Sequence, residues 1–351
     1  MFMPDNKYVF DFSSSHLGGG RKRLFEYSKY FNEHGGAFFI INSKSKDLIA
    51  LFPQNSYLAV NKNKFQQLTS STKYLDNFFK KNSDLDLFYS YGIPIFKKYA
   101  KVNWLHVSNI LPFVKEKFPL TIFEYFKIEI LRQLFKYSLK DIEVISAESM
   151  FSLGQLSDYS TKILFLSENG SDEEIAFHLN DSNKRYPRKD TAVALGTYRY
   201  KSLQDTYALF KALKVSHPAL KLIIIGDKSS VPMTIAHDLD VRLTGLISRD
   251  EVIKYLSNST FYLSATLVEN SYNAASEGIF LAQQSVISDI PPHKELLKSC
   301  SFEKFSLKDC ERGFLKINAE NLNVDNIKAW NQVIHEQITC VTRTLKHSQD
   351  A

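Results

Sequence analysis

The chain has 351 residues, about twice the usual span of one domain, and so predicts two. With 44% hydrophobic and 23% charged residues it has the balance of a globular protein, which excludes a disordered chain, a coiled coil and a collagen-like fibre. Its net charge of +6 falls in residues 1–170, which hold 22 Lys and Arg against 16 Asp and Glu, whereas residues 171–351 hold 22 of each.

Both halves alternate short apolar runs with amphipathic stretches, the pattern of α/β domains built on parallel sheets. Tyr8–Phe12 reads as a strand leading into Ser13-Ser14-Ser15-His16-Leu17-Gly18-Gly19-Gly20. Leu24, Tyr27, Tyr30 and Phe31 then recur at helical spacing until His34-Gly35-Gly36. Further strands are predicted at Ala37–Ile41, Asp86–Tyr91, Val102–His106, Ile142–Ala147 and Ile163–Leu166, with an aromatic-rich helix over about 120–139. A polar stretch, residues 180–189 with Pro187, separates the halves. Strands follow at Ala192–Leu195, Leu222–Ile225, Val241–Leu243, Phe261–Leu263 and Val286–Ile287. Helices are expected over Leu203–Leu213 and Asp250–Leu256, the latter N-capped by Ser248. A closing helix, about 324–345, sets Ile327, Trp330, Ile334, Ile338 and Val341 on one stripe.

Some function classes drop out at once. There is no zinc-finger spacing and no long basic helix, which argues against nucleic acid. No stretch approaches the roughly 18 apolar residues of a membrane span, and the start lacks a signal-peptide pattern. Cys300, Cys310 and Cys340 show no metal-ligand spacing, and their odd number suits a reduced, cytoplasmic protein. The nine histidines include no His-x3-His pair. Asp84-Leu85-Asp86 and Asp238-Leu239-Asp240 precede apolar runs rather than ending them, so they read as turn residues and no metal site is expected.

Three segments can carry chemistry. Gly18-Gly19-Gly20 allows close backbone approach to an anion at a helix start, although it lacks both the G-x-G-x-x-G spacing of a dinucleotide fold and a P-loop ending. Thr197-Tyr198-Arg199-Tyr200-Lys201 places two cations at a strand's carboxyl end, where ligands of open α/β sheets bind and a diphosphate can be neutralised. Glu269-Asn270-Ser271-Tyr272 through Glu277 sets two carboxylates eight residues apart across a helix start, suited to sugar hydroxyls and phosphates.

The Glu269-to-Glu277 spacing resembles the E-x7-E signature of retaining glycosyltransferases of GT-B architecture, family 4 in particular. Other segments match that family in order. Gly18–Gly20 is similar to its N-terminal glycine loop, and Trp104 to Asn109 to the segment with its N-domain histidine. Ser146 to Ser149 matches the end of an N-domain strand, and Asn169 to Asp172 the approach to its hinge. Gly245-Leu246-Ile247-Ser248 matches its nucleobase edge, and Ser288 to Pro291 with Glu295 its closing motif. Asn270-Ser271-Tyr272 replaces the usual Gly-Phe-Gly, Leu281 to Gln284 lacks the usual Gly and Pro, and Thr197 stands where the family has arginine.

The resemblance implies an α/β fold with two Rossmann-like domains facing across a cleft. Residues 1–168 would bind the acceptor, 169–189 form the hinge, 190–322 bind the donor, and the helix of 323–351 return to the first domain. It implies a nucleotide-sugar donor (UDP- or GDP-linked) and no metal or other cofactor. Arg199 and Lys201 would hold the diphosphate, Glu269 face the sugar, His106 assist catalysis and Glu277 bind the ribose. Gly19, Gly20, Leu246, Ile247, Asn270, Ser271 and Tyr272 would complete the donor site. The acceptor would be a saccharide, polyprenyl-diphosphate-linked in bacterial O-antigen, lipopolysaccharide or capsule assembly. A non-catalytic relative and a nucleotide-sugar epimerase of the same fold satisfy the same residues. Finally, Phe113, Phe118, Phe123, Tyr125, Phe126, Phe135 and Tyr137 lie among Lys115, Lys117, Lys127, Arg132, Lys136 and Lys140, which predicts peripheral docking on an anionic membrane.

Overall fold

The computed structural model describes residues 7–15, 18–53, 56–61, 73–81, 84–116, 118–171, 189–271, 273–298, 300–308, 310–322 and 328–349. The chain forms two compact units, one of Met1–Lys115, Thr121–Gly170 and Ala329–Ala351, the other of Glu116–Leu120 and Ser171–Lys328. No helix among the described residues is long and apolar enough to cross a membrane.

The first unit holds a seven-stranded sheet of β1 (Tyr8–Phe12), β2 (Ala37–Asn42), β3 (Tyr57–Val60), β4 (Leu87–Tyr91), β5 (Val102–His106), β6 (Val144–Ala147) and β7 (Ile163–Leu166). Their order is β3-β2-β1-β4-β5-β6-β7, every pair parallel, with Val9 opposite both Phe38 and Phe88. β2, β4 and β5 are buried along their whole length, as strands covered on both faces must be, and this is why they read as mostly apolar runs. Helices α1 (Gly18–His34), α2 (Lys73–Lys81), α3 (Ile122–Ser138) and α4 (Met150–Ser157) connect them. A capping box of Thr121 and Glu124 fixes the start of α3.

The core of this unit is largely aromatic. Phe10 stacks on Phe39 at 5.4 Å and meets Tyr27 edge-on at the same separation, and Trp104 meets Tyr89 edge-on at 4.5 Å. The C-terminal helix, Trp330–Gln349, brings Trp330, Ile334 and Val341 into the same cluster, with Ile338 packed at its margin. It starts later than its periodicity predicts: Lys328 and Ala329 are not helical, and Ile327 lies outside the described residues. The backbone is held there, since a Cβ on Gly170 would lie 2.6 Å from the Trp330 Cα and N.

The second unit has β8 (Lys189–Leu195), β9 (Lys221–Ile225), β10 (Val241–Gly245), β11 (Ser259–Ser264), β12 (Gln284–Ser288), β13 (Glu303–Ser306) and β14 (Gly313–Asn318) in the order β10-β9-β8-β11-β12-β14-β13. Its helices are α5 (Leu203–Ser216), α6 (Met233–Ala236), α7 (Arg249–Ser257), α8 (Asn273–Leu281) and α9 (Pro291–Leu296). Ser248 caps α7 in a box with Glu251. The last two strands run antiparallel and are absent from the sequence reading, as is β3. β14 mixes buried Phe314, Leu315 and Ile317 with Lys316 and Asn318, and β13 is mostly exposed, so neither forms an apolar run.

In each sheet the strand order reverses direction, at β1/β4 in the first and at β8/β11 in the second. Ligands of doubly wound folds bind beyond the carboxyl ends of strands at such points.

Two glycines in helices give opposite expectations. A Cβ on Gly278 of α8 would run into the buried ring of Tyr262, whereas one on Gly154 of α4 would meet nothing within 4 Å. Gly278→Ala is expected to cost about 1–3 kcal/mol and Gly154→Ala to add about 0.4–1 kcal/mol. Urea denaturation of the two variants checks both signs.

Candidate functional site

In the second unit the predicted residues gather at the carboxyl edge of the sheet. β8 is followed by Gly196, whose φ of +85° turns the chain outward, and Arg199–Lys201 then forms a 3-10 turn. That turn is anchored to the loop after β11, because the Tyr200 carbonyl accepts from Leu267 N (2.7 Å) and Thr266 Oγ1 (3.2 Å). The Lys201 stem crosses Gly196, its carbons about 3.5 Å from where a Cβ would sit, and its ammonium pairs with Glu269. Both partners are largely buried, so the bond is shielded from water. Arg199, by contrast, is exposed and has no ion-pair partner among the described residues.

Glu277 sits on α8 and forms an ion pair of 2.6 Å with Arg249, the first residue of α7. Gly278 lets α8 lie against Tyr262 of β11, which sets the height of Glu277 above the sheet. At the end of β10, Gly245 takes φ +83°, Leu246 is 81% exposed and Ile247 packs on the core. Asn270 and Ser271 are half-buried beside Glu269, and Tyr272 lies outside the described residues. Thus Lys201 meets Glu269 and Arg249 meets Glu277, while Arg199 joins neither pair. Arg249 was absent from the sequence reading, and its only sequence signal is its place in the first turn after the Leu246-Ile247-Ser248 edge.

Buried His293 on α9 is a second unforeseen group. Its Nδ1–H donates to the Ser288 carbonyl at 2.7 Å, and burial, then the nearby Lys201 charge, pushes its pKa down to about 4. It is therefore neutral at pH 7.

In the first unit, Gly18 takes φ +62° and Gly19 is exposed where α1 begins, with the N–H groups of a first helical turn. Gly20 is needed for a different reason from close approach to an anion. A Cβ there would come within 2.6 Å of Ser15 Oγ and Tyr91 Cε1. One turn on, Arg23 is fully buried. It donates to Ser167 Oγ and O (both 2.8 Å) and to Asn169 Oδ1 (2.9 Å), and lies 3.7 Å from Glu148. The sequence held a clue, since Gly20, Arg23, Tyr27 and Tyr30 share the buried stripe of α1.

His106, at the carboxyl end of β5, is also fully buried and stacks on Tyr91 at 5.2 Å. Trp104 Nε1 donates to Ser146 Oγ (2.7 Å), leaving the hydroxyl proton for His106 Nδ1 (2.8 Å) and the Nε2–H for Glu148 (3.3 Å). Burial, then the Arg23 charge, lowers its pKa to about 4 despite Glu148. The ring is held as a neutral imidazole, one wall of a small pocket closed by Pro112, Phe113, Leu131 and Phe135.

The four aspartates of the Asp-x-Asp pairs each face a lysine. Asp84 and Asp86 meet Lys101 (3.5 and 2.7 Å), Asp238 meets Lys211 (2.6 Å) and Asp240 meets Lys214 (2.9 Å).

Neither a protein-family model nor a curated protein matches this sequence. Solved structures do. Anabaena HepE in complex with UDP and glucose matches with TM-score 0.51 and 12% identity, over 78% of either chain. Sucrose-phosphate synthase from Thermosynechococcus elongatus gives 0.53 and 12%, again over 78% of each. The trehalose 6-phosphate synthase of Burkholderia multivorans gives 0.52 and 9%, over 84% of this chain and 86% of its own. The chain therefore has the α/β fold of GT-B glycosyltransferases, with two Rossmann-like units.

The two buried histidines set an acid limit. Both pKa values lie below the unfolded 6.5, so the unfolded chain binds protons first and stability is lost as pH falls from about 6.5 towards 4. Each histidine contributes up to about 1.4 kcal/mol per pH unit in that window. Urea midpoints at pH 7 and pH 5 should therefore differ less in His106→Asn and in His293→Asn than in the unaltered chain.

Proposed function

We propose that this chain is a retaining glycosyltransferase that moves a hexosyl group from a UDP- or GDP-sugar to a saccharide acceptor without a metal ion. The observation that carries the reading is the Lys201–Glu269 ion pair, with Glu277 eight residues further on in α8, at the strand-order reversal of a GT-B unit. Structures of the same fold bind UDP with glucose, or UDP-glucose.

In this reading the donor diphosphate competes for Lys201 and draws in exposed Arg199, so that both cations meet the charge that grows on the leaving group. Glu269, released from Lys201, accepts hydrogen bonds from the sugar hydroxyls, with the Asn270 to Tyr272 backbone facing the ring. Glu277, steadied by Arg249, takes the ribose diol, and Leu246 with Ile247 borders the base. Within the first unit, the exposed start of α1 at Gly19 offers N–H groups to an anion, and neutral His106 holds Ser146 and Glu148 in place. The lysine-engaged Asp-x-Asp pairs leave charge neutralisation to the basic pair. Departure of the diphosphate leaves oxocarbenium character at the anomeric carbon. The acceptor attacks from the same face while a leaving phosphate oxygen takes its proton, and no side chain is assigned as general base. A lipid-linked saccharide of bacterial surface polysaccharide assembly, met at the cytoplasmic side of a membrane, is the acceptor class we assign.

A thermal-shift screen against UDP, GDP, ADP and their sugars tests donor binding, since a ligand of the folded state raises the midpoint. Binding of none of them would overturn the reading. Arg199→Ala should lower kcat/KM by at least about 30-fold, the equivalent of ~2 kcal/mol, with an unchanged melting temperature because the side chain is exposed. Lys201→Ala should lose as much activity and also stability, as Glu269 is left unpaired in a largely buried site.

The two carboxylates should separate by assay. Glu277→Ala is expected to weaken binding of the bare nucleotide about tenfold or more, and Glu269→Ala mainly to reduce turnover. Calorimetry with UDP and GDP on both variants decides, and equal losses would contradict the division.

A further inference from the structure

Helix α3 is apolar on two opposite faces. Ile128 and Phe135 point into the first unit, where Phe135 meets Phe113 edge-on at 4.6 Å. On the other side Ile122, Phe123 (82% exposed), Phe126 (64%), Ile130 and Tyr137 stand in solvent, with Tyr125 at their margin. At 100° per residue, positions 122, 123, 126, 130 and 137 fall within an arc of about 100°, a stripe rather than a scatter. Single exposed apolar residues need no explanation, but a contiguous aromatic stripe marks an interaction surface.

The charges around the stripe say what kind. The α3 carboxylates are engaged, Glu124 in the capping box and Glu129 with Arg132 and Gln133. Lys127, Lys136 and Lys140 are exposed and form no ion pair among the described residues, while Lys136 and Lys140 lie over the rings of Tyr159 (5.5 Å) and Tyr137 (4.3 Å). The helix carries three cations, Lys127, Arg132 and Lys136, against Glu124 and Glu129, and Lys140 follows it, so its charge balance is positive, in the half of the chain that carries the whole basic surplus. A second copy of the chain meeting it by two-fold symmetry would set these lysines against their own like.

We propose that α3 docks the protein on an anionic lipid surface. The helix lies in the membrane plane with Phe123, Phe126 and Ile130 among the upper acyl chains and Lys127, Lys136 and Lys140 against the lipid phosphates. The aromatic segment of the sequence is thereby divided: Phe113 and Phe135 belong to the core, and Phe123, Tyr125, Phe126 and Tyr137 to the surface. The inference does not rest on sugar transfer, because a chain made inactive by Arg199→Ala keeps this face.

Flotation of the full chain with phosphatidylglycerol–phosphatidylcholine vesicles, and with phosphatidylcholine alone, is the test. Binding should require the anionic lipid and weaken as salt rises. Lys127→Gln, Lys136→Gln and Lys140→Gln should each weaken it about fivefold, equivalent to ~1 kcal/mol per charge. Phe123→Ser with Phe126→Ser should weaken it at least tenfold while leaving the urea midpoint unchanged, since both rings are already exposed. Three outcomes would overturn the proposal: no flotation, equal flotation on neutral vesicles, or serine variants that float like the parent. So would a dimer in sedimentation that the serine substitutions dissolve, with no vesicle binding.

Discussion

A guanidinium that never reaches water organises the first unit. Arg23 has no exposed surface, and burying a cation is tolerated only when its donors are filled and its charge is matched. The Ser167 and Glu168 carbonyls, Ser167 Oγ and Asn169 Oδ1 fill the donors, and Glu148 supplies the opposite charge. Those partners fix the exit from β7 and the end of β6. The Trp330 ring lies 5.7 Å from the same group, and Gln337 of the C-terminal helix donates to the Glu168 carbonyl at 3.0 Å and bonds Tyr27. Burial already favours a neutral His106, and because arginine stays charged at every relevant pH its field adds to that effect.

The second unit solves a similar problem with two ion pairs instead of one buried charge. Each carboxylate of the Glu269/Glu277 spacing already holds a cation, so this edge of the sheet is close to charge balance. On the proposed function, an incoming diphosphate would exchange partners within this arrangement and meet exposed Arg199 as well. Such exchange favours ligands that bring both anionic oxygens for Lys201 and hydroxyls for the freed carboxylate. Phosphate alone satisfies half of that requirement.

Much of the fold was legible because buried parallel strands need mostly apolar side chains on both faces, as in Ala37–Asn42 and Leu87–Tyr91. Strands without that demand were not. β14 interrupts buried Phe314, Leu315 and Ile317 with Lys316 and ends in Asn318, and β13 is nearly all exposed. Around the site, residue type revealed Lys201, Glu269 and Glu277 as chemically apt, yet their partners depend on how distant loops meet. Arg249 reaches Glu277 only because α7 and α8 pack side by side. Helical periodicity was equally unable to separate Phe126 from Phe135, since α3 is apolar on two opposite faces and only packing decides which ring faces solvent.

The place of the C-terminal helix in the first unit has a consequence for the order of events during synthesis. Trp330, Ile334 and Val341 share one cluster with Phe10, Tyr27 and Phe31, about three hundred residues earlier in the chain. On a ribosome, the first unit emerges without the helix that completes its core. It must wait while all of the second unit, built from contacts within Ser171–Lys328 and Glu116–Leu120, is made and free to fold. The half that starts first is thus the half that finishes last, with a long loop closure left to its final step.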